Sequence, residues 1–127
     1  MLNTGIKGIQ ELIVTKENCA GRIGSGELDV FATPAMLALV EKTAWMSIAD
    51  ELEKGEGTVG TKVSLSHSAP TPLGKTVRCE TELVEIDRKR LVFEFTVYDD
   101  SGVVGSGTHE RFIINSEKFM KKALEKG

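Results

Sequence analysis

Apolar and polar positions along the chain change period several times. Residues from about Ile6 to Thr15 are rich in β-branched side chains with imperfect alternation, which predicts a strand. Lys16 to Phe31 has no period and holds Gly21, Gly24 and Gly26, so a long loop is expected, of the kind that serves as a lid or binding loop. Thr33-Pro34 is a helix start, with a hydroxyl at the N-cap and proline at the first helical position. The helical pattern runs to about Lys54 and stops at Gly55-Glu56-Gly57. Strand-like alternation then fills Thr58 to His67, Lys75 to Ile86, Leu91 to Tyr98 and Val103 to Ile114. Pro70 to Gly74, Asp87 to Arg90 and Asp99 to Gly102 are the turns between them. An amphipathic helix from about Ser116 to Lys126, lysine-rich toward its end, closes the chain.

One strand, one long helix and four strands on short loops predict an α+β fold. An antiparallel sheet of about five strands wraps around one central helix, as a single domain over residues 1–127. Such a sheet has open edges, and the helix start carries Ala35, Met36, Leu39 and Val40. A homodimer that covers these features is expected.

The 100° wheel of the helix places Lys42, Thr43, Ser47, Asp50, Glu51, Glu53 and Lys54 on one arc. Leu37, Ala38, Ala44, Trp45, Ile48, Ala49 and Leu52 share the other, so Trp45 and Met46 read as core. Glu41 falls near the middle of the apolar arc, between Leu37 and Trp45. A carboxylate there needs a partner, and burial would raise its pKa toward the range useful for proton transfer. It is either an acid–base group, part of a core hydrogen-bond network, or a residue at a dimer rim. In Val59 to His67, Val59, Val63 and Leu65 mark the inward face and His67 joins them. Alone it reads as a satisfied core histidine; with an inward Glu41 above it, it points to a site. Thr33 is explained as an N-cap, or as a hydroxyl beside helix-start N–H groups that hold an oxyanion. Gly105 and Gly107 clear one face for a close approach of the helix, and His109 and Arg111 continue along that face. Arg111 binds a substrate carbonyl or phosphate, or pairs with a core carboxylate. The Arg88-Lys89-Arg90 run reads as a solvated turn before a coenzyme A phosphate site.

Composition narrows the partners. The 127 residues carry a net charge of −3, which gives no general attraction for nucleic acid or anionic membrane. No signal-like start and no membrane-length apolar run is visible, and Cys19 and Cys79 form no paired motif. A cytoplasmic protein with reduced thiols, no metal and no cofactor is expected.

From Val30 to Ile113 the chain resembles the fluoroacetyl-CoA thioesterase type of hot-dog protein. The carrying segments are Val30 to Thr33, Glu41 in the helix, Gly55 to Thr61, His67, Ala69 to Gly74, and Gly105 to Arg111. The resemblance implies Thr33, Glu41 and His67 as catalytic residues, with Gly60 against the acyl group and Arg111 also at the substrate. It implies an acyl-CoA substrate and hydrolysis of a small acyl thioester, with Thr33 as nucleophile or positioning donor and His67 oriented by Glu41. The family's specialised member has two phenylalanines in the loop before the threonine; Ile23 to Leu28 here has no aromatic residue. An enoyl-thioester hydratase and a non-catalytic acyl-CoA-binding module are the alternatives.

Overall fold

A computed structural model describes residues 1–126. Strand β1 (Lys7–Ile13) leads through a 3-10 turn at Lys16–Asn18 and a short helix α1 (Ala20–Ile23) to the long helix α2 (Thr33–Ile48), which tightens into a 3-10 turn at Ala49–Glu51. Strands β2 (Glu56–His67), β3 (Thr76–Asp87), β4 (Arg90–Asp99) and β5 (Gly102–Asn115) follow, then helix α3 (Ser116–Glu125). All pairings are antiparallel, in the order β1-β3-β4-β5-β2, and α2 lies across one face. This is the predicted wrapped sheet. The segment expected as a plain loop contains α1, which ends on Gly24 at a left-handed φ of 92°.

Alternation builds the core. Val77, Cys79, Thr81 and Leu83 of β3 face inward, as do Leu91, Phe93, Phe95 and Val97 of β4. They meet Met36, Leu39, Val40, Ala44 and Ile48 of α2. The buried stripe of α2 therefore differs from the one the wheel suggested. Thr43 is buried because its hydroxyl donates to the Leu39 carbonyl at 2.7 Å, which removes its need for water. Trp45 and Met46, expected in the core, are 45% and 42% exposed. Met36, Leu39 and Val40, expected at an intersubunit face, are spent inside the subunit's own core. The many alanines of α2 leave the wheel's apolar centre poorly defined, and the threonine that shifts it was counted as polar.

A second correction lies in β2. Gly60 pairs with Arg111 and Lys62 with Glu110, so Thr61 is an extra residue, a β-bulge. Residues on either side of a bulge exchange faces. Val63, Leu65 and His67 are half-buried as expected, but Val59 pairs with the exposed Phe112, and Thr58 and Gly60 point inward instead. No helix among the described residues is long and apolar enough to cross a membrane.

Helix α2 touches the sheet closely. A Cβ on Gly105 would lie 2.5 Å from Met36 Sδ, at the end of a flexible side chain. A Cβ on Gly107 would lie 1.8 Å from the Ser64 carbonyl oxygen, and its φ is 157°. Gly105→Ala should therefore destabilise the fold by an amount typical of overpacking, about 1–3 kcal/mol, and lower the melting temperature accordingly. Gly107→Ala should cost clearly more, because backbone rather than a side-chain tip must move. Thermal melts of the two variants check this order.

Candidate functional site

Thr33 sits at the start of α2, where Phe31 and Ala32 anchor the chain. Both are 1% exposed; the Phe31 N–H donates to the Thr71 carbonyl and the Ala32 N–H to that of Asn18. Ala32 is the N-cap, and Thr33 is the first helical residue with Pro34 after it. The threonine is thus not the cap that the Thr-Pro signal suggested. Its hydroxyl is free for another partner, and Thr33 Oγ1 lies 2.7 Å from His67 Nδ1. His67 is the last residue of β2, opposite Gly105 of β5. Burial lowers its pKa below the usual imidazole value, while the Ala69 carbonyl works the other way. Its Nε2 is covered and has no hydrogen-bond partner among the described residues. The Thr33–His67 pair opens on a cavity of about 290 Å³, walled by Ser25, Val30, Phe31, Ala69 and Pro70 among others.

Glu41 lies elsewhere. It is eight residues beyond Thr33 on α2, which is roughly 12 Å along the helix axis. No hydrogen bond or ion pair joins it to Thr33 or His67 within the chain, among the described residues. Its Oε2 is 3.6 Å from Arg111 Nη1. A Cβ on Gly60 would come within 2.7 Å of the same oxygen, so the missing side chain is what lets the carboxylate rest on β2. Glu41 is 44% exposed, on the flank of α2, whereas the Arg111 side chain is only 7% exposed.

Arg111 pairs with a carboxylate, but a half-exposed one rather than one in the core, and has further partners. Nε donates to Thr58 Oγ1 at 2.8 Å, Nη2 to the Thr58 carbonyl at 3.0 Å, and Nη1 meets His109 Nε2 at 3.1 Å. Burial pulls its pKa below the ordinary guanidinium value, and Glu41 opposes that. The structure thus places the candidate residues in two separate groups in one chain: Thr33 with His67, and Glu41 with Gly60 and Arg111. Thr58 escaped the sequence reading because the Thr61 bulge reverses its face. Phe31, a wall of the cavity, carried no signal beyond its apolar character. In the Arg88-Lys89-Arg90 turn, Arg88 is fully solvated, and Arg90 is held by Glu85 at 2.7 Å and Glu110 at 2.9 Å.

Both histidines have pKa values depressed chiefly by burial. For a group whose folded pKa lies below its unfolded one, stability is present above the unfolded value, near 6.5, and declines as pH falls through the window beneath it. NMR titration should place the His109 midpoint below 6.5, and its contribution to the melting temperature should fade as pH drops from 7 toward that midpoint. A His109 midpoint above 6.5 would contradict the burial argument.

The fluoroacetyl-CoA-specific thioesterase family matches residues 14–117. The fluoroacetyl-CoA thioesterase of Streptantibioticus cattleyicolor is 41% identical over 98 residues, which is 77% of this chain and 70% of that one. A crystal structure of the fluoroacetyl-CoA thioesterase FlK superposes with a TM-score of 0.93 at 32% identity, covering all of this chain and 98% of the other. A thioesterase-superfamily protein of Thermus thermophilus gives 0.88 at 25% identity, covering 98% and 93%. With the hot-dog architecture and a match that spans both groups of candidate residues, the chain belongs to the fluoroacetyl-CoA-specific thioesterase family.

Proposed function

We propose that the chain is a thioester hydrolase that cleaves a small acyl group from coenzyme A, with its site completed by a second copy. The observation that carries this is the 2.7 Å contact between Thr33 Oγ1 and His67 Nδ1 at the mouth of a cavity. A neutral His67 that accepts the threonine proton at Nδ1 carries its own hydrogen on Nε2. That hydrogen needs an acceptor, and Nε2 has no hydrogen-bond partner among the described residues. A carboxylate is the acceptor that also stabilises the imidazolium formed during proton transfer.

Glu41 fits that role from the other subunit. Strand β2 is an edge, twelve residues long, and exposed at Gly60, Thr61 and Lys62. Long edges require cover. Antiparallel pairing of two β2 strands about a centre between Val63 and Ser64 sets His67 opposite Gly60 of the partner subunit. Glu41 of the partner subunit rests on that glycine. Exposed Trp45 extends the same side of α2 and is covered by such a contact. Gly60 and Arg111 then form the wall against the acyl group. Either Thr33 or a water it positions attacks the thioester carbonyl carbon, and His67 takes the proton released by the nucleophile. The C–S bond breaks, and the proton passes from His67 to the coenzyme A thiolate. Where Thr33 is acylated, water then cleaves the ester through the same histidine. A cytosolic setting suits both this substrate and the unpaired Cys19 and Cys79.

Free-thiol release from a panel of short acyl-CoAs tests the activity directly. Water addition to a crotonyl thioester without thiol release would instead identify a hydratase, and binding without turnover a carrier module. Glu41→Gln should remain a folded dimer by light scattering and lose thiol release by about a hundredfold or more. Its melting temperature should drop modestly, because Arg111 loses the anion beside its buried guanidinium. Thr33→Ala and Glu41→Gln subunits, unfolded together and refolded, should regain activity, since each mixed dimer holds one intact site. Random mixing gives about a quarter of the wild-type rate. No recovery in demonstrated heterodimers would place Glu41 in the same subunit's site.

The loop from Ile23 to Leu28 offers no aromatic pair to the cavity. Fluoroacetyl-CoA should therefore be hydrolysed with little preference over acetyl-CoA. A ratio of kcat/KM above about a thousand would exceed the 10–200-fold that one pocket contact usually supplies and require another source of discrimination.

A further inference from the structure

His109 is a second, buried histidine whose two nitrogens have incompatible neighbours unless the ring takes one particular state. It is 2% exposed, in β5, opposite Val63 of β2 and Phe93 of β4. Nδ1 lies 2.9 Å from the Lys62 carbonyl oxygen. A carbonyl only accepts, so Nδ1 carries the hydrogen. Nε2 lies 3.1 Å from Arg111 Nη1. A guanidinium only donates, so Nε2 is bare. The neutral Nδ1–H tautomer satisfies both contacts; the other tautomer and the imidazolium each set a donor against a donor.

The contact matters because of what Arg111 holds. Thr58 fixes Nε and Nη2, and His109 fixes Nη1, the nitrogen that faces Glu41. Without an acceptor at the His109 position, Nη1 is a buried donor that turns toward whatever oxygen it reaches, and the Glu41 carboxylate moves with it. We propose that His109, as the neutral Nδ1–H tautomer, is a positioning residue that locks the Arg111 guanidinium and thereby aims the Glu41 carboxylate for thioester hydrolysis. The proposal rests on the reading of Glu41 as part of the site.

The surroundings keep the ring neutral. Arg111 on its own strand and burial both disfavour a second cation; Glu41 from α2 and Glu110 from β5 favour it. Strand β2 contributes the Lys62 carbonyl, while the Lys62 ammonium acts on Glu110. Strand β4 contributes only the Phe93 ring, 6.3 Å away between centroids. The net effect is a pKa below the ordinary imidazole value, set first by burial.

The experiment has two arms on the full-length protein. Nitrogen-15 NMR of the two histidines near pH 7.5 should show His109 protonated at Nδ1 and bare at Nε2. In the second arm His109→Leu removes the acceptor, and His109→Gln returns a carbonyl oxygen near the place of Nε2. His109→Leu should lower kcat by about ten- to a hundredfold with KM changed little, the scale of a misplaced catalytic group. It should also move the carbon-13 chemical shift of the Glu41 carboxylate at pH 7.5. His109→Gln should recover most of the rate and the wild-type Glu41 carboxylate signal. An Nε2–H tautomer, a folded His109→Leu with wild-type kcat and Glu41 signal, or a His109→Gln no better than His109→Leu would each overturn the proposal. Should His109→Leu not fold, the tautomer and the Glu41 signal in His109→Gln decide it. If the wild-type protein releases no thiol from any acyl-CoA, the hydrolase reading fails, whereas the tautomer and carboxylate readouts still judge the geometry.

Discussion

The close seating of α2 on the sheet is the constraint from which the site follows. The one long helix among the described residues must cover most of one sheet face, so it has to approach nearer than ordinary side chains permit. Glycines make room: Gly105 under Met36 and Gly60 under Glu41. The first contact fixes the depth of the helix start, and so the reach of Thr33 to His67 at 2.7 Å. The second lets a carboxylate lie on a strand where any Cβ would evict it. Helix and sheet thus share one interface that packs the core along Val40, Ala44 and Ile48 and presents chemistry along its flank.

The guanidinium of Arg111 illustrates how such an interface tolerates charge. A buried cation is costly unless hydrogen-bonded, and Arg111 has Thr58 at two points, His109 at a third and a carboxylate at 3.6 Å. At 3.6 Å, and with Glu41 44% exposed, the ion pair is the weaker part of this set. The neutral hydrogen bonds do most of the holding. The anion is consequently left with lone pairs to offer a second partner, which is what the proposed contact with another subunit's histidine requires.

Much of this was legible in the sequence, for identifiable reasons. Strands β3 and β4 alternate cleanly between buried and exposed, so period alone located them. Glu41 and His67 stand out because polar groups sit where apolar ones are due, and Thr33 because it opens the helix before Pro34. Three things were hidden. The helix phase was misread at Thr43, because a hydroxyl that returns to its own backbone behaves as a core residue. The inward turn of Thr58 was invisible because a bulge at Thr61 leaves no periodic trace in a stretch of glycine and threonine. The separation of Glu41 from His67 was concealed by the helix and strand periods themselves, which report which face a residue occupies and say nothing of how far along it lies.

On the function proposed above, that separation ties chemistry to assembly. Strand β2 is both the strand that carries His67 and the long free edge of the sheet. Among the described residues, His67 Nε2 has no hydrogen-bond partner, and Glu41 lies beside Arg111 rather than beside that histidine. In the proposed dimer, pairing through β2 would cover the edge and bring the two groups together, so one contact would both suppress aggregation and complete the proton-transfer site. The two groups rest on different supports. The Thr33–His67 pair borders a cavity lined by Ala20 of α1 and Ser25 of the loop after it, whereas Glu41 rests on Gly60 beside the buried Arg111 guanidinium, between α2, β2 and β5. In the proposed dimer the substrate would thus enter on the α1 side, away from the contacts that hold the carboxylate.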